Sequence, residues 1–139
     1  MARVCIIEGD EPTREVVRYL LTDAGFEVIE ASNGLSGKAL LEAAPDRLIV
    51  LLDHRLPVID GCDLLEIVAQ DKALRARHTF LMIAASPRHA TEDCGDALED
   101  LDVPVMPKPF SIDDLVEAVQ EAQQRIEPGS ESEPTPTGS

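Results

Sequence analysis

A doubly wound α/β fold, with a five-stranded parallel sheet covered by helices on both faces, is predicted by three observations. Short apolar runs alternate with segments whose apolar residues recur at helical spacing, the mark of βαβ units. Three of the runs lead into charged residues: Glu8 and Asp10 after the first, Asp53 after the third and Lys108 after the fifth. Open α/β sheets present their ligand-binding groups at those carboxyl ends. Finally, a length of 139 residues suits one domain.

The first strand is expected over residues 3–7, Val4-Cys5-Ile6-Ile7 being its apolar core. Val16, Val17, Leu20, Leu21 and Ala24 then make a helical stripe that stops at Gly25, a residue suited to a left-handed helix cap. Residues 27–30 read as the second strand; Leu35, Ala39, Leu40 and Ala43 form a second helix ended by Pro45. The apolar run 48–52 is the third strand, followed by a helix through Leu64, Leu65, Ile67 and Val68. Residues 80–84 are the fourth strand, 91–101 a fourth helix and 103–106 the fifth strand. In the last helix Ser111 caps, Asp113 and Asp114 face the positive end of the dipole, and Ile112, Leu115, Val116, Val119, Ala122 and Ile126 form one stripe. From Glu127 to Ser139 the chain is Pro, Gly, Ser, Thr and Glu with no large apolar residue, a composition too polar to offset its ordering entropy. The division expected is a folded domain over 1–126 and a disordered acidic tail over 127–139, with no separate output domain.

A formal charge of −15 argues against direct binding to nucleic acid or anionic lipid, which need clustered Lys and Arg. The expected partners are proteins. No stretch is apolar enough to span a membrane and Met1-Ala2-Arg3 runs straight into the first strand, so a cytoplasmic location is expected. Cys5, Cys62 and Cys94 are odd in number and widely spaced, which favours free thiols over a disulfide or zinc site. His54, His78 and His89 have no Cys or second His at ligand spacing and read as structural. Glu92, Asp93, Asp96, Glu99, Asp100 and Asp102 read as a solvated face, dense enough to attract a basic partner.

Five units with acids after strands one and three suggest the flavodoxin-like strand order 2-1-3-4-5, in which those two strands are neighbours. Glu8, Asp10 and Asp53 then converge. Such a cluster favours a cation, and hard oxygen ligands suit Mg2+. With the metal bound, Asp53 is positioned as a carboxylate nucleophile toward phosphorus, while Lys108 neutralises charge on the transferring group.

These residues stand in three segments that resemble the bacterial response-regulator receiver domain of two-component systems. Leu51-Leu52-Asp53-His54-Arg55-Leu56-Pro57-Val58-Ile59-Asp60-Gly61 is similar to the family's phospho-acceptor strand and loop, Ile7-Glu8-Gly9-Asp10-Glu11-Pro12-Thr13-Arg14 to its acidic motif, and Met106-Pro107-Lys108-Pro109-Phe110 to its Lys-Pro-Phe segment. The resemblance covers about the first 126 residues. It implies that Asp53 is the phospho-acceptor, that Lys108 contacts the phosphate and that Arg55 supplies a metal ligand through its carbonyl. It also marks departures. Gly9 stands where the family has a second metal-binding acid, with Asp10 one residue on as a substitute. Ala84 stands at the switch hydroxyl, with Ser86 two residues later as a stand-in, and Val105 at the aromatic switch position.

The resemblance implies an atypical receiver that binds Mg2+ weakly, takes its phosphoryl group from a histidine kinase or phosphotransfer protein, and signals through its fourth helix, fifth strand and last helix. A homodimer stays open, and any enzymatic activity is confined to self-phosphorylation and autophosphatase action. The alternative is a pseudo-receiver, an interaction module with weak or no phosphorylation. A third class, the metal site of Toprim nucleases and primases, fits less well because Arg55 occupies the place of its second acid and the charge repels nucleic acid.

Overall fold

The computed structural model describes residues 1–126; the expected tail over 127–139 lies outside them. Along the chain run β1 (Arg3–Ile7), α1 (Glu11–Asp23), β2 (Val28–Ala31), α2 (Gly34–Ala43), β3 (Leu48–Asp53), α3 (Gly61–Ala69), α4 (Lys72–Arg77), β4 (Thr79–Ala84), α5 (Pro87–Asp100), β5 (Val105–Pro107) and α6 (Ile112–Ile126). The strands form one parallel sheet in the order β2-β1-β3-β4-β5, as expected.

The central strands are buried on both faces, which is why they read as continuous apolar runs. Side chains alternate along each strand. Val4 and Ile6 of β1 with Ile49 and Leu51 of β3 pack against Val17 and Leu21 of α1 and Leu115 and Val119 of α6. Cys5 and Ile7 with Val50 and Leu52 face the other layer, where Leu41, Leu64, Leu65, Leu74 and Ala90 carry α2 through α5. Burying a Val, Leu or Ile side chain contributes about 1.5–3 kcal/mol, so these two layers fix the strand register.

Several boundaries differ from the sequence expectation. The helix α4 was not foreseen; it spans six residues and is started by Asp71, whose carboxylate accepts the amides of Ala73 and Leu74 at 3.1 Å each. Helix α5 begins at Pro87 instead of residue 91, because Ser86 caps it and proline suits the first helical position. Strand β5 begins two residues late: Pro104 has no amide to donate, although its carbonyl accepts the Met82 amide at 2.9 Å. Gly25 does hold a left-handed φ of 99°, ending the α1 turn.

The cysteine expectation is overturned. Cys62 of α3 and Cys94 of α5 form a disulfide with Cα atoms 5.5 Å apart, while Cys5 stays free and buried. A separation of 32 residues hid a pair that two packed helices bring together.

Candidate functional site

Register alone brings Glu8 and Asp53 together. Ile6 pairs with Leu51 across β1 and β3. Two residues further on each strand, with the same facing, stand Glu8 and Asp53. Both are buried, at 4% and 7% exposure. The Lys108 ammonium lies 3.1 Å from Glu8 Oε1 and 2.9 Å from Asp53 Oδ1, linking the two acids. Lys108 is delivered from β5, and its amide donates to the Ala84 carbonyl at 2.9 Å.

One ammonium does not balance two buried carboxylates. Burial pushes the Asp53 pKa up to about 6; the Lys108 hydrogen bond opposes the rise and the charge of Glu8 adds to it. Burial also works against the Lys108 charge, but its bonds to Asp53 and Glu8 outweigh that and hold its pKa above the usual lysine value. The donor set therefore fits a hard divalent cation, because positive charge is what the cluster lacks.

The loops around the cluster are held tightly. Arg14 donates to the Glu8 carbonyl at 2.8 Å and to Glu30 at 3.2 Å, and the Glu8 side chain accepts the Asp10 amide at 3.0 Å. After β3 the chain turns so that α3 starts against the end of that strand. A Cβ on Gly61 would stand 2.3 Å from the Asp53 carbonyl oxygen, so no other residue fits there. In the same loop Ile59 donates to the Pro57 carbonyl at 2.8 Å across Val58, which is forced to a φ of 70°.

The other sequence candidates fall as follows. Asp10 is exposed and caps α1: its Oδ2 accepts the Thr13 amide at 3.1 Å and the Thr13 hydroxyl at 2.5 Å. These bonds, the hydroxyl first, hold its carboxyl below the usual range. Gly9 leaves little room for an acid, since a Cβ there would meet Pro57 Cδ at 3.0 Å. Arg55 is exposed, its guanidinium 3.8 Å from Asp60 and 3.9 Å from Asp93. Ala84 is fully buried at the end of β4, and Val105 is half-buried. Ser86 is engaged at the α5 cap, where its Oγ accepts the His89 amide at 3.2 Å.

Sequence reasoning missed the surroundings of His54. Its ring is buried and Nε2 lies 2.9 Å from Asp93 Oδ2, so Asp93 is more than part of a solvated face. Cys62 stands beside both, although no cysteine or second histidine falls at ligand spacing in the sequence and His54 read as structural. The signal in the sequence was no more than the adjacency of Asp93 and Cys94 along the chain. His78 is structural as expected: Nδ1 accepts the Leu48 amide at 3.1 Å and Nε2 donates to the Leu41 carbonyl at 3.0 Å.

Residues 4–120 match the protein family described as the response regulator receiver domain. The phosphate regulon transcriptional regulatory protein of Klebsiella pneumoniae is 30% identical over 127 residues, which are 91% of this chain and 53% of that protein. The chain thus spans about half the length of that curated relative. A CheY-like receiver domain protein from Methanospirillum hungatei superposes with a TM-score of 0.68 at 28% identity, over 87% of this chain and 93% of the other. A Thermotoga maritima response regulator, solved in complex with Mg(2+)-BeF, shares the fold with a TM-score of 0.70 at 22% identity, over 87% and 98% of the two chains.

Proposed function

The chain belongs to the response regulator receiver domain family, and on that premise we propose that Asp53 accepts a phosphoryl group from a histidine kinase or phosphotransfer protein, so that the domain regulates a protein partner. The observation that carries this reading is the buried Asp53 carboxylate held 2.9 Å from the Lys108 ammonium. One Asp53 oxygen attacks phosphorus as the bond to the donor's imidazole nitrogen breaks, and the imidazole is left to take a proton from solvent. Lys108 already lies against the Asp53 carboxylate, so it meets the charge on the phosphoryl oxygens without reorganisation. Mg2+, held by Glu8, Asp53 and the Arg55 carbonyl with Asp10 nearby, would supply the rest of the neutralising charge; the relative solved with Mg(2+)-BeF supports that choice of ion.

Two surfaces suit the partners. Pro12, Val16, Pro109 and Phe110 line an apolar groove beside Lys108, where a phosphodonor protein would dock. Thr91, Leu98, Val105 and Arg125 line a depression between α5, β5 and α6 for the downstream partner.

A second reading, an interaction module with little phosphorylation, is favoured by Gly9 and Ala84. The first removes an acidic ligand and the second a hydroxyl donor. Intact-mass measurement after acetyl phosphate and Mg2+ separates the two. The first reading expects one phosphoryl adduct per chain, lost in Asp53→Asn. No adduct in the wild type, or an adduct retained in Asp53→Asn, refutes it.

A further inference from the structure

We infer that the reduced protein carries a zinc site built from Cys62, Cys94, His54 and Asp93, separate from the carboxylate cluster around Asp53. What points to it is unlike ligand groups brought together from three parts of the fold. A ring nitrogen of His54, the Cys62 sulfur and an Asp93 carboxylate oxygen lie within 4.8 Å of one another. Cys94 is bonded to Cys62, so its sulfur lies one bond from the group and is freed beside it by reduction. Tetrahedral Zn2+ takes thiolate, imidazole and carboxylate ligands at about 2.0–2.3 Å, which sets ligand atoms roughly 3.3–3.8 Å apart. The His54, Cys62 and Asp93 atoms, spread over 4.8 Å, therefore have to close by only about an ångström, while the two sulfurs part on reduction. Thiolates select against Mg2+, which keeps this site chemically distinct from the one at Asp53.

The setting matches a structural metal centre. Cys62, Cys94 and His54 are buried, whereas Asp93 is exposed and leaves one open side for entry. The α5 backbone already leaves helical geometry at Cys94 (φ −149°, ψ 39°), so that residue is not tied to the regular turn. The Arg55 guanidinium, 3.9 Å from Asp93, faces the negative charge that two thiolates and a carboxylate leave around one Zn2+. Cys5 does not compete: it sits in the core of β1, where burial pushes its thiol up to about 12.

In the structure the two sulfurs are joined, so the site opens by reduction. A dithiol reductant gives two electrons and two protons to the disulfide, leaving two protein thiols and becoming a disulfide itself. Zn2+ then binds as both thiol protons leave to solvent. His54 gives up its hydrogen bond to Asp93, its ring proton passes from Nε2 to Nδ1 by exchange with solvent, and Nε2 donates a lone pair to the metal. Oxidation by a small-molecule disulfide reverses the exchange and releases the ion. Disulfide and metal hold the same helices, α3 and α5, and the metal replaces the His54–Asp93 hydrogen bond with direct ligation of the residue that follows Asp53.

The test uses the full chain with Mg2+ in excess. Reduced and oxidised protein are titrated with Zn2+ against a chromogenic chelator, proton release is read by calorimetry in buffers of different ionisation enthalpy, and Co2+ reports thiolate ligation by its charge-transfer absorption. The expected result is one Zn2+ per reduced chain, two protons released, a thiolate–cobalt band, and binding at least 100-fold weaker after oxidation. Asp93→Asn, at an exposed position that leaves the core untouched, should weaken the reduced site at least 10-fold; Cys62→Ser with Cys94→Ser should abolish the band. Equal affinity in the two redox states, wild-type affinity in Asp93→Asn, or no thiolate band in reduced wild type would each overturn the assignment.

Discussion

Replacing Asp53, the proposed phospho-acceptor, should make this protein more stable. Asp53 is buried beside Glu8, and its pKa rises from 3.8 in the unfolded chain to about 6 in the fold. At 1.36 kcal/mol per unit, that rise of roughly two units means the fold carries about 3 kcal/mol of penalty at neutral pH. Asn is close in shape to the protonated acid and leaves Lys108 paired with Glu8. Asp53→Asn should therefore gain about 3 kcal/mol at pH 7, or roughly 10 °C in Tm for a domain of this size. The sign follows from linkage. A group whose folded pKa is raised favours the fold below its unfolded value, and that contribution is lost as pH rises through the folded value, here about 6. The gain should thus shrink toward zero near pH 4 and reach a plateau above the folded value. Urea unfolding of both proteins in EDTA across that range measures it. Adding Mg2+ should then stabilise the wild type and leave Asp53→Asn nearly unmoved. An Asn variant equal to or weaker than wild type at neutral pH, or a gain that persists at pH 4, would refute the charge argument.

The strained loop offers a second gain: Val58→Gly relieves a left-handed β-branched residue at about 1–2 kcal/mol, less the 0.5–1 that glycine loses in backbone entropy, so the midpoint in urea should rise slightly and a fall would exclude strain. For metal affinity, Gly9→Asp combined with Pro57→Ala, which clears the close contact, should tighten Mg2+ by about 10–100-fold. Affinity equal to wild type in that pair would mean the position adds no ligand. His78 should titrate below the ordinary histidine value, because burial disfavours its charged form. Its contribution to stability is present above the unfolded pKa of about 6.5 and is lost as pH falls, a dependence that His78→Asn should lack. Finally, beryllofluoride-induced chemical-shift changes should stay near Asp53 in the wild type and spread toward α5 and β5 in Ala84→Thr. Wide changes without that hydroxyl would assign the switch elsewhere.

The sheet and the core of the site were legible because both depend on local pattern. Uninterrupted apolar runs fixed the three inner strands, and the two-residue alternation of a strand made Glu8 and Asp53 neighbours once the strand order was known. Lys108 needed only its place after the fifth run. What sequence left open turned on hydrogen bonds and contacts between distant elements. Asp10 had two local roles available, and the Thr13 amide and hydroxyl decided for the cap. Ser86 was drawn to the α5 cap by the proline after it. The Cys62–Cys94 bond and the His54–Asp93 contact join residues 32 and 39 positions apart. Periodicity places each side chain on a face of its own helix or strand. Only the packing of α3 against α5 decides which faces meet, because that packing is set by the summed burial of both helices and not by any residue in the pair.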